Sequence, residues 1–305
     1  MDDKMFKKTF KMQGRYGDEL TVMAENYMST REIVMVARTR EVKRDFRYCD
    51  YLGDKKTADK DWNGFATQEE LFSMCDFGVR DQQMVNALQR YAYKAMAKDE
   101  EKYTRKVMSV AGGGVNVPLL LSGSPECMYS RKKAPVKSKI VNLGIHCEIT
   151  CEVTSEKYAQ AGMLVAELVS KLEKAGYRLR LHTMDAYYCG GKKINVLTTV
   201  LKKENEPMNY ARMLYPLTNV SYSRGLGFGW VARNPDYRQS GLGTYAETAF
   251  SSDERASKMD EMYELATGLK GFVSFTLKDL IHMIHSKGEE ATMKYMESKL
   301  MRSIR

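Results

Sequence analysis

"IVNLGIHCEIT", residues 140–150, is the stretch on which the reading of the fold turns. It is an apolar run of strand length that passes into a short polar loop. Near-continuous apolarity suits a strand buried in the middle of a sheet, and the run reads as one strand from Lys139 to Val153. Ser155 then heads a helical pattern that lasts to Gly176. A serine caps free N–H groups, Glu156 suits the positive helix end, and Gly176 suits the exit. Tyr158, Ala161, Val165, Leu168 and Leu172 recur on one face of that helix, with Gly162 and Val169 beside them. "YRLRLHTM" (177–184) alternates Tyr177, Leu179 and Leu181 with Arg178, Arg180 and His182, the pattern of a half-buried strand.

Downstream, "INVLTTVLKK" (194–203) reads as a third strand, turned back at Gly190-Gly191 as a hairpin partner. "MNYARMLY" (208–215) is a short helix opened by Pro207 and ended by Pro216. "GLGFGWVAR" (225–233) reads as a fourth strand whose glycines admit a close neighbour. This order predicts an α/β layered core, Rossmann-like in class, over residues 138–250.

Residues 1–60 read as an irregular strand and loop region, with "EIVMVARTREV" (32–42) as a short strand. Residues 61–137 read as helical, then as an extended linker. Thr67 and Glu70 form a capping box for a helix closed by Gly78, and a second helix spans 81–101 with Met84, Leu88, Tyr91, Ala92 and Ala95 on one face. Gly112–Gly114 read as a tight turn between extended pieces, because neither a GK[ST] ending nor a GxGxxG context accompanies them. Residues 251–305 read as a helical tail, with Leu277, Leu280, Ile281 and Ile284 in one stripe.

With 305 residues, 43% of them hydrophobic, the chain has material for a sizeable core. No stretch approaches the roughly 20 apolar residues of a membrane-crossing helix, and "MDDKMFKKTFKMQ" (1–13) lacks the apolar segment of a secretory signal. The expectation is a cytoplasmic protein without membrane contact. Cys49, Cys75, Cys127, Cys147, Cys151 and Cys189 form no CxxC pair, and His282 and His285 have no cysteine nearby, so free thiols are expected and no metal or other cofactor.

Two resemblances add to this. The strings "VAGGGVNVPLLLSGSPECM", "IVNLGIHCEIT", "AGMLVAELVSKLEKAGYRLRL" and "EPMNYARMLYPLTNVSYSRGLGFGWVAR" resemble, in that order, a family of uncharacterised bacteriophage and mobile-element proteins from about residue 60 to 250. That resemblance implies a phage source, a bacterial-host cytoplasm or a virion as the location, and no mechanism. Residues 138–232 resemble the first half of a von Willebrand factor A domain, which carries a metal at a D-x-S-x-S motif. The positions aligned with it are Asn142, Gly144 and His146, where the carboxylate and both hydroxyls are missing. A hard cation wants oxygen ligands, so the resemblance implies a degenerate site that holds no metal.

The residue types argue against catalysis. Cys147 and His146 are chain neighbours and point to opposite faces of a strand, so no thiol–imidazole pair forms there. Glu148 and Asp185 read as strand-end carboxylates on the rim of a cleft. The expected function is therefore a non-enzymatic interaction or assembly role, through a protein partner or self-association. Met293, Met296, Leu300 and Ile304 make a stripe that suits either the chain's own core or a neighbouring subunit. The alternative is nucleic-acid binding. Net charge is +9, and Arg131, Lys132, Lys133, Lys137 and Lys139 form a basic segment. Tyr187, Tyr188, Lys192 and Lys193 form a second basic loop with rings for base stacking. An enzyme with a site at the C-terminal ends of the core strands is the third possibility.

Overall fold

The computed structural model describes residues 6–42, 50–53, 58–86, 104–133, 140–189, 192–234 and 246–304. The chain begins with a hairpin of β1 (Phe6–Gln13) and β2 (Glu19–Tyr27), followed by α1 (Thr30–Arg38), α2 (Lys60–Asn63) and α3 (Gln68–Phe77). A small sheet follows, of β3 (Thr104–Ser109), β4 (Gly114–Val115) and β5 (Met128–Lys133), with α4 (Val117–Leu121) between β4 and β5. The core is β6 (Ile140–His146), α5 (Ser155–Lys174), β7 (Arg178–Tyr188) and β8 (Lys193–Lys202). Then come α6 (Tyr210–Thr218), a π-helix (Tyr222–Gly227) continuing into α7 (Phe228–Ala232), α8 (Arg255–Thr267), β9 (Phe272–Thr276), α9 (Leu277–Lys287) and α10 (Glu289–Ile304).

The main sheet has six strands in the order β1-β2-β8-β7-β6-β9. β6 runs parallel to β7 and β9, β2 runs parallel to β8, and the β1–β2 and β7–β8 pairs are antiparallel. The expected α/β class holds, as a mixed sheet covered by helices on both faces. One face packs beneath α1, α3, α5, α6, the π-helix, α7 and the C-terminal helices, and the other beneath α8 and residues 246–250.

Several local expectations are corrected. Residues 30–38 form α1, not a strand. Ser29 Oγ accepts from the Glu32 N–H and the Glu32 carboxylate accepts from the Met28 N–H, a reciprocal cap that outweighs the β-propensity of the Ile-Val run. "GLGFGWVAR" is π-helix and α7. Residues 222–227 are buried all round, so no one-sided periodicity marks them as helical. Their glycines do admit close neighbours: Gly225 faces Phe65, Gly227 faces the Tyr187 hydroxyl and Gly229 faces Leu52. Pro216 lies inside α6 without ending it, since the helix runs on to Thr218. Thr154, not Ser155, caps α5. The strand from 140 stops at His146. Leu119–Leu121 are helical, in α4. Of the helix expected over 81–101, residues 82–86 are helical and the remainder falls outside the described residues.

The C-terminal region carries the missing strand. "FVSFT" is β9, which pairs with β6 from Asn142↔Phe272 to His146↔Thr276. Behind it, Met293 (6% exposed), Met296 (0%) and Leu300 (0%) are core. The stripe weighed as a partner interface is therefore buried within its own fold, and the Ile304 side chain lies outside the described residues.

The tightest helix contact is between α5 and α6. A Cβ on Gly162 would sit inside the carbonyl of Leu217. Gly162→Ala is expected to push the helices apart and cost about 3 kcal/mol, read as a lowered urea midpoint at unchanged m-value. Met296→Ala, which empties a fully buried site, is expected to cost about 2–5 kcal/mol in the same measurement. A surface stripe would leave the midpoint unmoved.

Candidate functional site

After His146 the chain leaves the sheet through residues 147–154 and enters α5. In open α/β sheets, ligands bind in the crevice beyond the carboxyl ends of the strands. Here such a crevice of about 880 Å³ is bounded by α2, the loop after β6, the start of α5 and the turn after α6. Asp59, Asp61, Glu152 and Glu156 are exposed carboxylates in its lining, and Trp62 is 38% exposed.

Local capping builds these walls. Asp59 caps α2 by accepting from the Asp61 and Trp62 N–H groups, and Gly64 ends it at φ +78°. Ser155 Oγ donates to the Asp61 carbonyl at 2.7 Å, tying α2 to the head of α5. Arg224, on the π-helix, is 1% exposed and sits at the floor. Its guanidinium donates to the carbonyls of Trp62 (2.7 Å), Thr150 (3.0 Å), Cys151 (3.4 Å) and Val153 (2.7 Å), and lies 4.4 Å from the centroid of the Trp62 ring. Arg224 is a strut for the crevice. Its cation is spent on the protein's own backbone.

Beneath the π-helix, the sheet holds buried polar groups. The expectation that Asp185 rims a cleft is corrected: β7 continues to Tyr188, so Asp185 is mid-strand and fully buried. Among the described residues neither carboxylate oxygen has a hydrogen-bond partner, and desolvation pushes its acid dissociation up to about 8. Glu148 lies past the end of β6 but turns inward, where its carboxylate accepts from the Ala186 N–H. The Tyr222 hydroxyl bridges Thr183 at 2.8 Å and Thr199 at 3.0 Å. Cys147 is buried on the same side, its thiol pushed up by desolvation and by the nearby Asp185.

The positions aligned with the metal motif in the sequence do not fit a cation. Asn142, Gly144 and His146 share the opposite face of β6. The Asn142 amide donates to the Lys270 carbonyl at 2.6 Å. A Cβ at Gly144 would lie 2.7 Å from the Tyr263 ring, and that ring meets His146 edge-on at 4.9 Å and stacks on Phe272 at 5.2 Å. Burial, with Lys299 nearby, holds the His146 imidazole neutral down to about 3. Tyr263 fills the space that side-chain ligands would need. His282 and His285 are exposed on α9, and among the described residues no group of three metal-ligating side chains comes together.

The basic candidates are separated. Arg131, Lys132 and Lys133 stand on β5, while Lys137 and Lys139 lie outside the described residues. Tyr187 and Tyr188 belong to β7 and not to a loop. Tyr187 is fully buried, so it offers no ring for stacking, and Tyr188 is half-buried. Lys192 is paired with Asp18 at 2.7 Å, and Lys193 is the first residue of β8. Sequence reasoning missed Trp62, Arg224 and Tyr263. "DWNG" (61–64), a tight cap around an aromatic, was the one local signal for the crevice.

The fold and crevice define a mixed α/β protein with a mostly parallel central sheet and an acidic, tryptophan-bearing cleft at its strand ends. The chain belongs to the family described as Domain of unknown function (DUF7192), whose model matches residues 9–267. No curated protein and no solved structure matches it. Among the described residues, no helix is long and apolar enough to cross a membrane.

Asp185 makes stability fall with pH. Its dissociation in the fold, at about 8, lies above the ordinary 3.8 of an unfolded chain. The native state therefore holds one proton more between those values, and stability is lost as pH rises through that window. Asp185→Asn removes this slope. The variant's melting temperature should exceed the wild type's at pH 8 and approach it towards pH 4; parallel wild-type and variant curves would refute the assignment.

Proposed function

We propose that this protein works by binding and not by catalysis, as an interaction or assembly component whose strand-end crevice receives a basic, extended segment of a protein partner. The observation that carries this reading is the crevice lining: four exposed carboxylates and one exposed lysine, Lys60, around one exposed indole. Carboxylates attract and orient Lys and Arg, and an indole face takes a cation or an aliphatic stem. The lining contains one thiol, Cys151, and no histidine to activate it.

The βαβ unit of β6, α5 and β7, with β9 parallel on the other side of β6, supports a Rossmann-like, A-domain-like core. The filled face at Gly144 and His146 supports recognition without a metal. Support for a bacteriophage or mobile-element source, and for a bacterial cytoplasm or a virion as its place, comes from strings such as "GSPECM" (123–128) and "LEKAGYRLRL" (172–181).

Trp62 is the reporter. The chain has two tryptophans, and Trp230 is fully buried, so a change in exposed indole emission tracks the crevice. A lysine- and arginine-containing decapeptide titrated onto the full chain should quench Trp62 saturably. Binding should weaken about tenfold in Glu152→Gln/Glu156→Gln and stay unchanged with EDTA. Unsaturable quenching, equal affinity of the double variant, or loss of binding with EDTA would each overturn the reading.

A further inference from the structure

We propose that residues 222–227 are a proton-operated gate beneath the crevice: the π-helix lies closed over a protonated Asp185, and ionisation of Asp185 releases it together with Arg224. The inference rests on the crevice as the binding site and supplies its regulation. A basic segment is held at the lower pH and let go as pH rises.

The gate is weak as an element in its own right. π-Helical turns are rare, occur mostly as single turns and are frequent at functional sites. This one carries two glycines among its six residues, and neither its own start nor that of α7 has a side-chain cap. Packing on the sheet is what keeps it in place. A Cβ on Gly227 would lie 2.7 Å from the Tyr187 hydroxyl and 3.1 Å from Asp185 Oδ2, so the π-helix backbone rests directly on these two groups.

The surroundings of Asp185 suit only its neutral form. Cys147 and Glu148 approach from the end of β6, Tyr158 from α5, Tyr222 from the π-helix and Tyr187 from β7 itself. Leu197 stands opposite on β8, and Tyr263 lies across the sheet. The nearby hydrogen bonds run elsewhere. The Tyr158 hydroxyl donates to the Pro216 carbonyl at 2.7 Å, and that of Tyr222 is shared between Thr183 and Thr199. The Cys147 thiol donates to the Ile145 carbonyl at 3.7 Å, and the Glu148 carboxylate is taken up by the Ala186 N–H.

A charge on Asp185 must therefore be hydrated, and the covering layer that opens at least cost is the π-helix. Arg224 moves with it. Trp62, Thr150, Cys151 and Val153 then lose the donor that their carbonyls share, and the crevice loses its floor. The closed form keeps the Asp185 proton up to about 8, and an open, hydrated form releases it near the ordinary 3.8. Opening is therefore favoured as pH rises between those values and levels off above them.

The test is hydrogen exchange of the full-length chain at pH 6 and pH 8, corrected for the intrinsic exchange rate. The opening constant of residues 222–227 should rise roughly 50-fold between the two, and that of residues 150–153 with it, while β7 and α5 stay protected. Asp185→Asn should abolish the rise. Should that variant fail to fold, Gly227→Ala, whose methyl group presses on Asp185 and Tyr187, should already exchange fast at pH 6. A rise shared by β7 and α5, or one that persists in Asp185→Asn, would overturn the gate. Titrating the lysine- and arginine-containing decapeptide at both pH values separates the gate from the reading of the crevice. Wild-type affinity should weaken at pH 8 in proportion to the closed fraction lost, and Asp185→Asn should hold its affinity. Equal wild-type affinity at both values would overturn the regulation. A peptide that binds at neither pH, while the π-helix still opens, would overturn the crevice as the binding site and leave the gate standing.

Discussion

Arg224 is the constraint on which the rest of the architecture hangs. A buried guanidinium is tolerable only when its donors are met, and here carbonyls from two distant segments meet them: Trp62 on α2 and residues 150–153 after β6. One side chain thus fixes the exit of the central strand, the height of α2 and the placing of the π-helix that carries it. The π-helix in turn sets Gly227 against Tyr187 and Asp185. Crevice and buried polar layer are two sides of the same clamp.

The buried polar groups on the two faces of the sheet pull in opposite directions. His146 and Asp185 are both desolvated, so the fold keeps each in its neutral form, the imidazole against protonation and the carboxyl against ionisation. Neither is arranged as a catalytic pair, because the sheet itself separates them. A strongly perturbed group is a common mark of an active site. Here the geometry around each points to packing: Tyr263 covers His146, and the π-helix covers Asp185.

The parts of the fold that were legible in sequence are those where one residue pattern serves one environment. β6, α5, β7 and β8 each show a period, a cap or a turn, and each forms where these signals start it, although β6 stops at His146, well short of Val153. The failures have a common physical origin. "GLGFGWVAR" is helical but surrounded by protein, so burial erases its periodicity. "EIVMVAR" is a short apolar run whose type is decided by the Ser29–Glu32 cap and not by propensity. "FVSFT" is five residues long, too short to stand out before a long helix. The site was less legible than the fold. Asp61 and Trp62 on α2 and Glu152 after β6 come from two segments that only tertiary structure brings to one cleft.

The ordering of strands in the sheet also bears on synthesis. β1 and β2 leave the ribosome before the other strands of this sheet, whereas the neighbour that covers the outer side of β6 is β9, residues 272–276. The family match ends at residue 267, just short of that strand. Until residues 272–276 have emerged, the nascent protein carries an unpaired β6 edge, and open edges invite pairing with other chains. Translation that stalls or ends early in this region would release a chain with its sheet nearly built and the edge of β6 uncovered.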